Sequence, residues 1–367
     1  MFSAYLKVAA VAIAFFLLGD NPLRGETPTE PVSSQLVDDQ TSEQSIQKAL
    51  DDLRISANEF NQQLTRLEAL WQRSQASPSV PPTSTHAEVW AMDSNGQNAR
   101  RVADAPGFPI INSPEISPDG RVVAVDGWRA NESFMAARLL VIDIESGDVD
   151  DLGVGAMPNW SPDGSWIAFC KYSNQPGVYV RSLDGQTERH IDPLGWGIQW
   201  SPDGWKVAYT RGDRFVVHDF VSARSRVIVP VEWDYTRIYW NPTWSPDSKE
   251  VCFKARHKQG HDEFAIVSVG SDAATIRRRI SADGFNEDIA WHPDGTRILI
   301  PKAAADGVPG QIYAYDPNKA DAPYPLAGQP KDRHNGGMCW SRDGKTLFFI
   351  SRKVNEAEAV AASNDTP

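Results

Sequence analysis

One turn sequence, returning six times, limits what this chain can fold into more than any other feature. Ser-Pro-Asp-Gly at 161–164 follows Trp160 and precedes the apolar run Ile167-Ala168-Phe169. The block returns at Trp200 with Ser201-Pro202-Asp203-Gly204, and at Trp244 with Ser245-Pro246-Asp247-Ser248. It returns again at Trp291 with His292-Pro293-Asp294-Gly295, and at Trp340 with Ser341-Arg342-Asp343-Gly344. An earlier copy, Ser117-Pro118-Asp119-Gly120, has Ile116 in place of the tryptophan. The steps between first residues are 44, 40, 44, 47 and 49. Repeats of that length mean an array, a solenoid or a propeller.

Proline presets φ at the second turn position, and Asp then Gly suit the last two, so each block is a reversal between two strands. Three residues past each block stand Val123, Ile167, Val207, Val251, Ile298 and Leu347, each opening an apolar or alternating strand. A further strand signal follows each, as in Val178-Tyr179-Val180 and Ile312-Tyr313-Ala314-Tyr315, and then a fourth, as in Arg226-Val227-Ile228-Val229. Four antiparallel strands in about 40–45 residues make one propeller blade. Only 26 residues follow Ser341, too few for two outer strands, while the pair at Glu88–Met92 and Arg100–Ala103 has no block before it. The leading pair therefore completes the last blade, giving an all-β, six-bladed ring closed by a shared blade and free of open edges.

The Trp-Ser-Pro-Asp-Gly block, its apolar strand and the Ile/Val-Tyr-Val strand that follows resemble the repeat of TolB-type β-propellers. The propellers of prolyl-oligopeptidase-like enzymes share that repeat. The resemblance covers residues 87–353. It implies a propeller that binds envelope proteins, and basic residues after the second strand are frequent in such repeats. In place of the α/β domain that precedes the propeller in TolB proteins, this chain carries a helical segment.

Ahead of the ring, residues 1–25 read as a signal peptide or signal anchor, with Lys7 before an apolar run from Val8 to Leu18. This predicts export to the periplasm, or a membrane tether facing it. Residues 26–41 are a polar linker. Residues 42–74 carry a heptad seam at Ile46, Leu50, Leu53, Ala57, Phe60, Leu64, Leu67 and Trp71, with Thr41 and Gln44 as a capping box. The seam predicts a coiled-coil-like stalk and self-association; an amphipathic helix lying on a surface fits the same pattern. Residues 75–86, with Pro78, Pro81 and Pro82, are a semi-stiff linker, and 354–367 a flexible tail. Cys170, Cys252 and Cys339 fall in three different blades and read as buried small side chains.

A formal charge of −12 argues against nucleic acid as a partner. No Gly-x-Ser-x-Gly elbow, phosphate loop, Cys-x-x-Cys pair or His-Glu-x-x-His motif is present, so no catalytic residue, metal ligand or cofactor is assigned. A peptidase of the prolyl-oligopeptidase type is not expected. What remains is the channel mouth opposite the turn blocks. Second-strand loops bring Arg129, Lys171, Arg211, Arg256, Lys302 and Arg352 there, one per blade. Read functionally, this is a positive ring for an anionic saccharide, peptide or partner carboxylate. Read plainly, these are solvated charges paired with Asp126, Asp213, Asp262 and Asp288. Loops leading into the innermost strands add Asn112, Trp196, Tyr239, Asn241, Asn286, His334 and Asn335 as a sugar- or peptide-binding floor. His257 and His261 share one loop and could meet His334 around a metal, without a supporting carboxylate spacing. The expected function is non-catalytic binding of a protein partner or anionic ligand at the mouth. The alternative is an envelope polysaccharide lyase or hydrolase acting there.

Overall fold

The computed structural model describes residues 86–172, 175–228, 233–269, 274–305, 308–319 and 321–354. The signal segment, the first linker, the stalk and all but the last residue of the second linker lie outside the described residues, as does all but the first residue of the tail. The rest forms six antiparallel sheets arranged as the repeat predicts. Blade 1 runs Ile110–Ile116, Val122–Trp128, Arg138–Asp143 and Val149–Val154 from the channel outward. Blade 2 begins with Ala156–Trp160 and Trp166–Lys171, and blade 3 with Trp196–Trp200 and Lys206–Arg211. Blade 4 splits its innermost strand into Tyr235–Ile238 and Thr243–Trp244, both pairing with Glu250–His257. Blade 5 opens with Ala290–Trp291 and Ile298–Lys302. Blade 6 takes Arg333–Trp340 and Thr346–Lys353 from one end of the ring and Ala87–Asp93 and Arg100–Ala103 from the other. Ala87 pairs with Arg352 and Asp93 with Thr346, which closes the ring.

Strand alternation explains how the blades hold together. On the second strand of blade 1, Val123 and Val125 face blade 6, joining Cys339, Phe348 and Ile350. Ala124 faces the other way and joins Ile167 and Phe169 of blade 2. A period of two thus feeds two interfaces at once. Phe169, Tyr209, Phe253 and Phe349 are fully buried on second strands. Each such aromatic contributes roughly 1.5–3 kcal/mol by burial.

The turn block is a self-contained hydrogen-bond unit. In blade 2, Ser161 Oγ donates to Asp163 (2.6 Å) and accepts from Trp166 N (2.9 Å), while Gly164 N donates to Ser161 O (2.9 Å). The serine hydroxyl holds the Asp163 carboxyl below its ordinary range. Serine bonds its block aspartate in the same way in blades 1, 3, 4 and 6. Tryptophans staple neighbouring blades: Trp160 Nε1 donates to Glu115 O (3.0 Å), and Trp244 Nε1 to Gln199 O (3.1 Å).

A second regularity shapes the channel. Three residues before the Trp (or Ile116) position, the innermost strand turns left-handed at Ser113, Met157, Gly197, Asn241 and Gly337, with φ between 48° and 63°. The pairing register slips at four of these points and the strand is interrupted at Asn241. Such bulges bend a strand and re-aim its side chains. Pro114, Pro158 and Pro242, each next after its kink, suit a place where the ladder is already broken.

Candidate functional site

The kinked strands line a channel whose wall includes Glu115, Asn159, Gln199 and Thr243, with a cavity of about 190 Å³. Opposite the turn blocks this channel meets a wider chamber of about 370 Å³. Trp128, Tyr172, Trp196 and Trp240 wall the chamber, Asn112, Ser113 and Asn241 line it beside them, and Asp126 and Asp288 supply its carboxylates. Trp128 ends the second strand of blade 1, and Tyr172 stands one residue past that of blade 2. Trp196 opens the innermost strand of blade 3, where Thr210 Oγ1 donates to its carbonyl (3.1 Å). The Tyr172 and Trp196 rings meet at 4.5 Å and 59°.

Asp126 is 1% exposed. Its Oδ2 accepts from Met157 N at the blade 2 kink (3.0 Å) and from Ser113 Oγ (3.4 Å). Its Oδ1 is buried with no hydrogen-bond partner. Burial pushes this carboxyl up to about 7, with the nearby charge of Asp288 acting in the same direction. Asp288 accepts from Asn241 Nδ2 (2.6 Å), and burial raises its carboxyl too. Deeper in the channel, burial lifts Glu115 to about 8. Three carboxyls held above their ordinary range around one channel mark it as the electrostatically unusual part of the molecule.

Of the floor residues expected from the sequence, the structure brings together Asn112, Trp196 and Asn241. Tyr239 is buried, its hydroxyl donating to Asp262 (3.2 Å). Asn335 is also buried, with Nδ2 donating to Pro330 O (2.6 Å) inside blade 6. His334 Nδ1 accepts from Gly310 N (3.0 Å). His257 and His261 stack at 4.6 Å in blade 4. Among the described residues no group of three His, Cys, Asp or Glu side chains is placed to hold a metal.

The six cations stand within one residue of the ends of the second strands, on the chamber side of the ring. Arg129 pairs with Asp151 (3.4 Å), and Lys171 with Glu188 (2.5 Å). Both acids lie on the outermost strands of their own blades. Arg211 stands 3.8 Å from Asp192 on the outermost strand of blade 2. Arg256 pairs with Asp262 (2.8 Å), and Lys302 lies 5.5 Å from the Tyr313 ring centre. Arg352 Nη1 reaches Lys353 O at 3.5 Å. Two expected carboxylate partners differ from the sequence reading: Asp126 and Asp288 are not loop counter-ions but side chains of the chamber. The missed signal was position. Asp126 is three residues past Val123, where strand alternation turns it toward the next blade's kink.

No protein-family model and no curated protein matches the chain. Among solved structures, a putative TolB from Agrobacterium tumefaciens aligns over 74% of this chain and 100% of its own, at 17% identity and a TM-score of 0.55. The chain has a TolB-like propeller fold. TolB from Acinetobacter baumannii aligns over 76% of this chain and 66% of its own, at 16% identity and a TM-score of 0.49. An oligogalacturonate lyase in complex with manganese aligns over 71% and 81%, at 13% identity and a TM-score of 0.45. Similarity at these levels concerns fold, and propellers of one fold host many activities.

Proposed function

We propose that this TolB-like propeller is a non-catalytic binding module of the cell envelope, and that a protein partner enters it at the chamber mouth. One observation carries the reading. The chamber is a preformed cavity with aromatic walls and a buried carboxylate oxygen, Asp126 Oδ1, that nothing in the described protein satisfies. Concave, mostly apolar sites with a few convergent polar groups are the usual form of a binding pocket. Envelope location is supported by the fold's likeness to TolB and by the apolar run Val8–Leu18. The anionic-ligand form of the expectation rests on the six rim cations. Arg129, Lys171 and Arg256 already face carboxylates within 3.5 Å, which favours the protein-partner form.

The test is site-specific photo-crosslinking in cells. A photoreactive residue replaces Asn112, exposed at the mouth, or Val221, 74% exposed and far along the chain in blade 3. The reading expects a discrete protein adduct from position 112 and none from 221. Equal adducts from both positions, or none from the mouth, would refute it. Release of an unsaturated uronide by the purified chain would replace it with the lyase alternative.

A further inference from the structure

We propose that the mouth chamber is a cage for an alkylammonium group, with Trp128, Tyr172, Trp196 and Trp240 around the cation and the carboxylates of Asp126 and Asp288 against it. This rests on the reading that ligands enter at the mouth, and it names the chemistry they must carry. Ring faces attract cations, and the attraction grows where water is excluded. The unpartnered Asp126 Oδ1 offers an acceptor to a guest ammonium that carries N–H, and a negative charge to one that does not. The chamber, at about 370 Å³, lies within the small-ligand range of about 300–1,000 Å³.

Other occupants fit less well. A hard divalent cation wants six or more oxygens, and among the described residues no group of three His, Cys, Asp or Glu side chains is placed to hold one. An anion meets two carboxylates, and a neutral sugar leaves their charge uncompensated. Lys254 is engaged elsewhere. Lys254 Nζ donates to Phe285 O (2.8 Å) and pairs with Asp262 (3.5 Å). Arg237 lies 4.7 Å from the Tyr239 ring centre and 5.8 Å from that of Trp240, an internal instance of a chamber ring attracting a cation.

Two sources share this chemistry: a free quaternary amine and a lysine side chain of the partner. The full chain is titrated with choline, with Nα-acetyl-lysine methylamide, and with 3,3-dimethyl-1-butanol, the uncharged isostere of choline. Calorimetry or tryptophan fluorescence reads the binding. Saturable binding of choline or the lysine amide, with the isostere at least about tenfold weaker, supports the cage. The tighter of the two cations then identifies the source. Trp196→Ala and Asp126→Asn should each weaken binding by about tenfold. Equal binding of the isostere, calcium displacing the ammonium ligand, or no saturation by either cation at high millimolar concentration would overturn the cage. The isostere comparison needs no variant, so a misfolded mutant does not blunt it. Failure here with the position 112 adduct intact sinks the cage alone, while choline binding without that adduct sinks the protein-partner reading alone.

Discussion

Replacing Asp126 by Asn should stabilise this propeller at alkaline pH, by an amount that disappears in acid. The carboxyl ordinarily titrates near 3.8 and is pushed up to about 7 in the fold, chiefly by burial. Between those values the folded chain holds a proton that the unfolded chain has released. The contribution to stability is therefore full below 3.8 and is lost as the pH rises through 7. One unit of displacement is worth 1.36 kcal/mol, so the loss between pH 5 and pH 8 comes to about 2–3 kcal/mol. Asn does not titrate, and its Oδ1 takes over the hydrogen bond from Met157 N. Relief of Asp288 from a neighbouring charge acts with the same sign. Urea unfolding of the full chain, followed by tryptophan fluorescence at pH 5 and pH 8, gives the mutant-minus-wild-type difference at each. That difference should be larger at pH 8 by about 2–3 kcal/mol, or roughly 5–10 °C in Tm. A difference independent of pH, or one favouring the wild type at pH 8, would show that Asp126 is solvated in the channel and would refute the burial argument.

Other outcomes follow from the same geometry. Choline binding should weaken as pH falls below about 7, because Asp126 then carries a proton, and should level off near the roughly tenfold loss expected of Asp126→Asn; Asp288, Tyr172 and Glu115 are the other titratable groups of this chamber and channel, and calorimetry from pH 5 to 8 reads the change. Ser201→Ala should cost about 1–3 kcal/mol in urea unfolding, since Ser201 is fully buried, donates to Asp203 and accepts from Lys206 N. Gly197→Ala should lower Tm measurably: φ is +63°, and a Cβ would fall 2.7 Å from Asn241 N.

How much of this was legible in the sequence divides along the repeat. Whatever recurs could be read, because six copies in register average away local ambiguity. The Trp blocks gave the turns, their spacing gave the blades, and the unmatched strand pair at the start gave the shared sixth blade. What departs from the repeat could not be read the same way. Three residues past Val123, Ile167, Val207, Val251, Ile298 and Leu347 stand Asp126, Cys170, Thr210, Lys254, Pro301 and Ile350. As unrelated residues they suggest nothing, yet they occupy one structural position beside the kinks. Asp126 meets Met157 N, Cys170 Sγ accepts from Gly197 N, and Ile350 packs near Gly337. At the strand ends charge is plain, but Arg129, Lys171 and Arg211 there lean on outer-strand carboxylates. The chamber is built one turn inward, where a left-handed residue in the innermost strand re-aims the backbone, a feature with no fixed residue type beyond a frequent following proline. A ring of equivalent positions supplies a common geometry. The blade that places a carboxylate there, with four aromatic side chains gathered from blades 1 to 4, converts that geometry into a site. In a repeat protein, therefore, the periodic residues are the ones to consult for architecture, and the exceptions at periodic positions the ones to consult for chemistry.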